Sequence, residues 1–239
     1  GTMDSRIKGT TRLLGLIGSP VGHSGSPAMH NYGFQKLGID AAYLAFDIKE
    51  DQVKNAISAG RTLNMQGINV TITCKTEAAK YMDELSPAAR LIGAVNTVVN
   101  RDGKLYGHIT DGEGFVANLK DHGVSIEEKD IVIFGAGGAA TAILVQCALD
   151  GAKSVTVINP RDDFFGRAEE MHKKLREETS DCDITLIDLD DEAAVKEAVL
   201  KTDILINGTL LGMKPKEDTS VIRDTSLFHK DMVVADVVY

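Results

Sequence analysis

Short, continuous apolar runs alternate along this chain with stretches of helical period, a pattern that predicts α/β architecture with buried strands. Leu13–Gly18, Ala41–Asp47 and Gly67–Thr73 read as strands. Between the first two lies the helix Ala28–Leu37, with Ser26 as its N-cap and Pro27 at the first helical position, and Glu50–Arg61 is helical after the second. Lys75–Met82 reads as a helix and Pro87 opens a further turn. Val95–Asn100 and Lys104–His108, joined through Asp102-Gly103, have the pattern of a hairpin. Asp111–His122 is helical, and Gly123–Lys129 is the expected crossing between two domains, 1–123 and 124–239.

The second domain opens on the apolar run Ile131–Phe134, followed by Gly135-Ala136-Gly137-Gly138-Ala139-Ala140, which fits G-x-G-x-x-[GA]. A helix over Ala140–Leu149 stops at Gly151, and Ser154–Asn159 is the next strand. Asp162 follows the glycine turn by about 22 residues, near where an acid that binds a ribose is expected. Gly135 allows the tight turn, Gly137 admits a pyrophosphate to the backbone, and the small residue at 140 lets helix and strand pack closely. The helix N-terminus supplies free N–H groups and the positive end of its dipole. Helix Asp163–Glu178, strand Asp183–Asp188, helix Glu192–Leu200 and strand Asp203–Asn207 continue the alternation. The expected fold is therefore an N-terminal α/β domain plus a Rossmann-type, doubly wound parallel-sheet domain that binds a dinucleotide.

At 239 residues and 43% apolar, the chain is long enough for two cores. No apolar run has the length of a membrane span, and the N-terminus lacks a signal-peptide core; Gly1-Thr2 before Met3 looks like a cloning scar. Three cysteines (Cys74, Cys147, Cys182) without a C-x-x-C pair argue against a disulfide framework, so a cytoplasmic protein is expected. Residues 1–112 carry 12 basic and 10 acidic side chains, and residues 113–239 carry 14 and 25. The net −9 is therefore +2 in the first part and −11 in the second, which holds the dinucleotide domain. Such a surface disfavours nucleic acid, and leaves an anionic cofactor to be attracted by local backbone dipoles. No His or Cys pair has ligand spacing, so no metal is expected. A homodimer is compatible with the sequence but not specified by it.

Three stretches of the first half carry polar residues that a scaffold does not require. Gly22-His23-Ser24-Gly25-Ser26-Pro27 places two hydroxyls beside a helix start, suited to a carboxylate; capping by Ser26 alone would leave Ser24 unexplained. Asn69–Lys75 reads as a strand ending in a lysine, at the end where open α/β sheets gather ligands, although a lysine there is often only solvated. In Gly93–Thr97 and Gly107–Gly112, Asn96 can hydrogen-bond a hydroxyl, and Asp111 can either cap its helix or act on a ligand.

Taken together, GxPVGHSxSPAMHN, NVTxxxK, GAVNT, GHxTDGxG, the GAGGA turn, NGTxxGMKP and a closing DVVY resemble the shikimate dehydrogenase family from about Leu14 to Tyr239. NxRDDFF resembles its quinate/shikimate branch. The resemblance implies reversible reduction of 3-dehydroshikimate to shikimate with NAD or NADP, with quinate as a further substrate. Carried over by position, Ser24, Ser26 and Tyr239 bind the substrate carboxylate, Thr71, Asn96 and Asp111 hold ring hydroxyls, and Lys75 and Asp111 are the catalytic pair. Gly135, Ala136, Gly137, Gly138 and Ala139 cradle the pyrophosphate. Asn159, Arg161, Asp162 and Phe164 lie by the adenosine ribose, and Asn207, Thr209, Gly212 and Met213 toward the nicotinamide. Burial would lower the pKa of Lys75 while Asp111 would favour its charged form.

Several positions depart from the family pattern. Gly25 replaces a leucine and loosens the turn between the serines, and Thr73-Cys74 replaces a proline-containing segment, leaving Lys75 less rigidly placed. Cys74 itself is read as a filler. Pro160 stands where many members have an arginine for the 2′-phosphate, so NAD is expected to be preferred over NADP, with Asp162 facing the free 2′-hydroxyl. The family also continues past Tyr239 with helices that return to the substrate domain and a glutamine that contacts substrate; either the chain is truncated or this tail is not in the sequence given. These departures keep open a catalytically impaired or non-catalytic NAD-binding homologue.

Overall fold

The computed structural model describes residues 6–209 and 228–236. The chain divides into two compact units between Ile109 and Thr110. The first contains β1 (Arg12–Gly18), α1 (Ser26–Leu37), β2 (Ala41–Asp47), α2 (Val53–Thr62), β3 (Gly67–Val70), α3 (Lys75–Ala79), β4 (Glu84–Leu85), α4 (Pro87–Ile92), β5 (Thr97–Arg101) and β6 (Lys104–His108). Its sheet has the order β2-β1-β3-β5-β6-β4. β1 runs parallel to β2 and β3, whereas β5 is antiparallel to β3 and β6. The reversal follows from the β5–β6 hairpin. Asp102 and Gly103 both take positive φ, at 55° and 89°, as a tight turn between twisted strands requires. Leu16, Val21 and Tyr43 are buried together beside Leu14 and Phe34, so α1 closes over β1 and β2.

The second unit contains α5 (Thr110–Asp121), β7 (Asp130–Phe134), α6 (Gly138–Leu149), β8 (Ser154–Asn159), α7 (Asp163–Glu178), β9 (Asp183–Asp188), α8 (Glu192–Lys201), β10 (Ile204–Asn207) and β11 (Val233–Asp236). All five strands are parallel, in the order β11-β10-β7-β8-β9. The chain steps one way from β7 through β8 to β9, then crosses back to β10, so the strand order reverses between β7 and β10. In such sheets that crevice, at the carboxyl ends of the strands, receives the ligand. Val132, Phe134, Ile158 and Leu205 pack with Val199 of α8. The alternate residues Ile131, Ile133 and Val155 are also buried, so both faces of the sheet are covered.

Four differences from the sequence reading bear on the site. The N-cap of α1 is Gly25, with Ser26 as the first helical residue. β3 ends at Val70: Thr71 Oγ accepts the Ile72 N–H, and a 3₁₀ turn, Ile72–Cys74, follows. A side-chain hydrogen bond thus overrides the strand preference of Ile72 and Thr73, and Lys75 begins α3 instead of ending a strand. The run that forms β11 was not read as a strand; it is only four residues long and gains its order by pairing with β10. Finally, α5 belongs to the second unit, so the units divide at 109 and not at 123. The reason is Gly112, where a Cβ would lie 2.4 Å from the Ala142 carbonyl oxygen: α5 packs on α6 backbone to side-chain-free backbone.

Candidate functional site

In the first unit the candidate residues collect where strands β1 and β3 end. Ile17 pairs with Val70 in the parallel register, so Gly18 and Thr71 leave the sheet side by side. Because β5 is antiparallel to β3, its amino end lies at the same edge: Asn69 pairs with Thr97. The backbone closes this cluster. The Thr71 N–H donates to Ile17 O (3.0 Å), Val70 N–H to Asn96 O (2.9 Å), and Val95 N–H to Lys75 O (3.0 Å). Thr71, Lys75 and Asn96 are thereby set on one edge, and all three are half-buried.

Ser24 and Ser26 follow the same end of β1. Ser24 Oγ accepts the Ser26 N–H at 3.2 Å, so the hydroxyl that seemed superfluous serves the helix start and Ser26 does not cap it. Gly25 has φ −81° and ψ −5°, and a Cβ there would meet nothing within 4 Å. Any residue suits that backbone, so glycine in place of leucine leaves the turn geometry intact. Cys74 is buried, its thiol donating to Ile48 O at 3.4 Å, which agrees with a filler role.

One part of this edge was missed in the sequence. The Tyr43 hydroxyl donates to Asn69 Oδ1 (2.9 Å), Asn69 Nδ2 to Thr97 Oγ1 (3.4 Å), and Thr97 Oγ1 to Asn96 Oδ1 (3.0 Å). Tyr43 is 2% exposed and stacks on His30; burial pushes its hydroxyl up to about 12, so it remains a donor. The chain of bonds ends on Asn96 and fixes which way its amide points. The available signal was Asn69, a polar side chain inside a four-residue buried strand.

In the second unit the glycine turn lies at the reversal point. Gly135 has φ +108°, and a Cβ on it would come within 3.3 Å of Gly208 O and Thr209 N. Gly208 in turn donates to Phe134 O at 2.7 Å, and a Cβ there would meet Ala140 Cβ at 2.9 Å. The close helix–strand packing expected at residue 140 is thus made against Gly208, a residue not singled out in the sequence. Gly137, the N-cap of α6, and Gly138 face open space with nothing within 4 Å of either Cβ position. A backbone cradle with a helix N-terminus, and no side chain of the described residues in it, fits a dinucleotide pyrophosphate, with Ala136 and Ala139 as its other small members. Asn207 and Thr209 border this turn, Asn207 Oδ1 accepting both the Thr209 N–H (3.1 Å) and its hydroxyl (2.6 Å).

The residues expected at the adenosine ribose follow β8. Asp162 is the N-cap of α7: its Oδ1 accepts the N–H groups of Phe164 (2.9 Å) and Phe165 (3.2 Å) and the amide of buried Asn159 (2.8 Å). All three bonds go to Oδ1, so the carboxylate caps α7 and holds Asn159 through one oxygen. Arg161 Nε donates to Asp188 Oδ2 at 2.9 Å, with its guanidinium 4.8 Å from the Phe165 ring centroid. Phe164 is 44% exposed, with Arg167 over its ring. Asp111 lies in the first turn of α5, half-buried. Gly212, Met213 and Tyr239 fall outside the described residues. Among the described residues no group of His, Cys, Asp and Glu is placed to hold a metal, and no helix is long and apolar enough to cross a membrane.

Residues 16–98 match the family of the shikimate dehydrogenase substrate binding domain. The chain is 46% identical over 234 residues to a shikimate dehydrogenase (NADP(+)) of Listeria monocytogenes, covering 98% of this chain and 80% of that protein. This chain belongs to the shikimate dehydrogenase family. The crystal structure of shikimate 5-dehydrogenase from Listeria monocytogenes in complex with shikimate and NAD superposes with a TM-score of 0.92 at 45% identity, over 99% of this chain and 82% of that one. Quinate dehydrogenase from Corynebacterium glutamicum in complex with NAD gives a TM-score of 0.79 at 28% identity, over 96% and 80%. The α/β class and the Rossmann-type unit expected from the sequence are those of the family.

Proposed function

We propose that this chain interconverts 3-dehydroshikimate and shikimate, using NAD or NADP. The observation that carries the reading is the polar edge at the ends of β1 and β3, in a chain whose other unit offers an open glycine cradle at its strand reversal. Ser24 and Ser26 take the substrate carboxylate, with Tyr239. Thr71, Asn96 and Asp111 hold ring hydroxyls. When bound, the nicotinamide accepts or returns the hydride. Lys75, with Asp111, takes the hydroxyl proton as the alcohol is oxidised and returns it to the carbonyl oxygen in the reverse direction. Asn207 and Thr209 serve the nicotinamide, the role that the family pattern also gives Gly212 and Met213.

NAD and NADP are used with similar efficiency, in place of the modest preference for NAD that Pro160 and Asp162 suggest in the sequence. Asp162 is engaged as a helix cap, and Arg161 offers a guanidinium that Asp188 partly neutralises. Quinate is a second substrate, favoured by the Arg161-Asp162-Asp163-Phe164-Phe165 segment. Three free, buried cysteines among the described residues support a cytoplasmic setting.

The test is reduction of each cofactor followed at 340 nm with shikimate or quinate. Lys75→Ala is expected to lower kcat by roughly 10²–10⁴-fold while leaving the dissociation constant for NAD within about two-fold. Full turnover in that variant would remove Lys75 as the acid/base. Absence of turnover in the wild type, with cofactor still bound, would instead support the non-catalytic homologue.

A further inference from the structure

We propose that Asp188, at the carboxyl end of β9, is a specificity-determining positioning residue: by binding Arg161 it sets how strongly the chain takes a dinucleotide with a phosphate on its adenosine ribose. The inference rests on the reading above that Arg161 stands by that ribose. Asp188 pairs with Asn159 in the β8–β9 register, so its carboxylate emerges beside the segment that leaves β8. It is held from both sides. Asp188 Oδ1 accepts the Asp190 N–H at 2.9 Å, and Oδ2 accepts Arg161 Nε at 2.9 Å.

The two partners are unequal. The Asp188 side chain is 25% exposed and Arg161 70%, so the acid is the fixed member and the arginine the adjustable one. Phe165, on the first turn of α7, has the guanidinium over its ring, 4.8 Å from the centroid. Only Nε is used in the pair, and among the described residues neither Nη has a hydrogen bond. The Nη edge therefore remains a donor pair of the kind that grips phosphate oxygens, but its charge is opposed by a carboxylate one hydrogen bond away.

The consequence is specific to the phosphate. A 2′-phosphate near Arg161 meets a nearly neutral pair rather than a full positive charge, whereas a free 2′-hydroxyl is little affected. Asp188→Asn keeps an oxygen for Arg161 Nε and removes the negative charge. Over separations of several ångströms near a protein surface, that change should tighten binding of a phosphate-bearing nucleotide by about three- to ten-fold. The gain should shrink as salt rises, because the groups are partly exposed.

The experiment is isothermal titration of the full chain with 2′,5′-ADP and with ADP, for wild type, Asp188→Asn, Arg161→Ala and the double variant. We expect Asp188→Asn to tighten 2′,5′-ADP and leave ADP within about two-fold, and the tightening to vanish in the Arg161→Ala background. The ratio of kcat/KM for NADP to that for NAD should rise with it, through KM and not kcat. If Arg161→Ala weakens 2′,5′-ADP but Asp188→Asn leaves it unchanged or weaker, the role of Asp188 is refuted and the placement of Arg161 stands. If Arg161→Ala leaves 2′,5′-ADP unchanged, the placement of Arg161 itself fails. Asp188→Ser, which is smaller and also uncharged, repeats the test should Asp188→Asn fold poorly.

Discussion

Gly18→Ala is the sharpest probe of how the polar edge is built. Gly18 ends β1 with φ +151°, a conformation that L side chains rarely adopt, and a Cβ there would lie 1.8 Å from Thr71 Cγ2. Thr71 has no easy escape. Its side chain is stiff at χ1, and turning it away would break the 2.6 Å bond from the Ile72 N–H to its Oγ1. The backbone strain costs about 1–3 kcal/mol, and overpacking costs about 1–3 kcal/mol more. Together, roughly 2–6 kcal/mol should lower the unfolding temperature by about 4–24 °C. If Thr71 holds a ring hydroxyl, loss of that bond should also raise the KM for shikimate by roughly three- to ten-fold. Gly25→Ala is the control, since its site is open and its φ ordinary, and it should be neutral within about 0.5 kcal/mol. Thr71→Ser deletes Cγ2 and keeps the oxygen, so Gly18→Ala/Thr71→Ser should recover the packing part and leave the strain. Differential scanning calorimetry with steady-state kinetics reads both. A double variant no more stable than Gly18→Ala alone would refute the steric argument.

Two further outcomes follow from the second unit. His172 is 1% exposed and its Nδ1 has no hydrogen-bond partner among the described residues; burial, then Arg176, pushes its pKa down from 6.5 to about 4. The folded state thus holds it neutral, so its contribution is complete above pH 6.5 and is lost as pH falls toward 4; by pH 5 that is roughly 2 kcal/mol. Urea unfolding of wild type and His172→Leu at pH 7 and pH 5 should show the wild type losing that much more, and equal losses would rule out His172 as the source. Asp162→Ala should cost about 1–2 kcal/mol by removing the cap of α7. Asp162→Asn should recover most of it in thermal unfolding, and an Asn variant as unstable as the Ala variant would mean that charge, not capping, is what matters.

The local patterns of this chain carry a large part of its fold. Continuous apolar runs define β7 and β8 because a parallel strand is buried on both faces, and Asp102-Gly103 sets its hairpin because few residues accept positive φ twice in succession. The glycine turn was legible for the same reason: its chemistry is backbone chemistry, and the residues that permit it are adjacent in the chain. Side-chain partnership over long separations was not legible. Thr71 ends a strand that β-propensity would have continued, Asp162 caps a helix as well, and α5 joins the second unit because Gly112 lies on Ala142. The Tyr43–Asn69–Thr97–Asn96 bonds and the Arg161–Asp188 pair span up to 28 residues, and the registers of β2 and β3 on β1, of β3 with β5 and of β8 with β9 bring their members together. The sequence specifies which residues carry the chemistry, while the pairing of strands decides what each of them can reach.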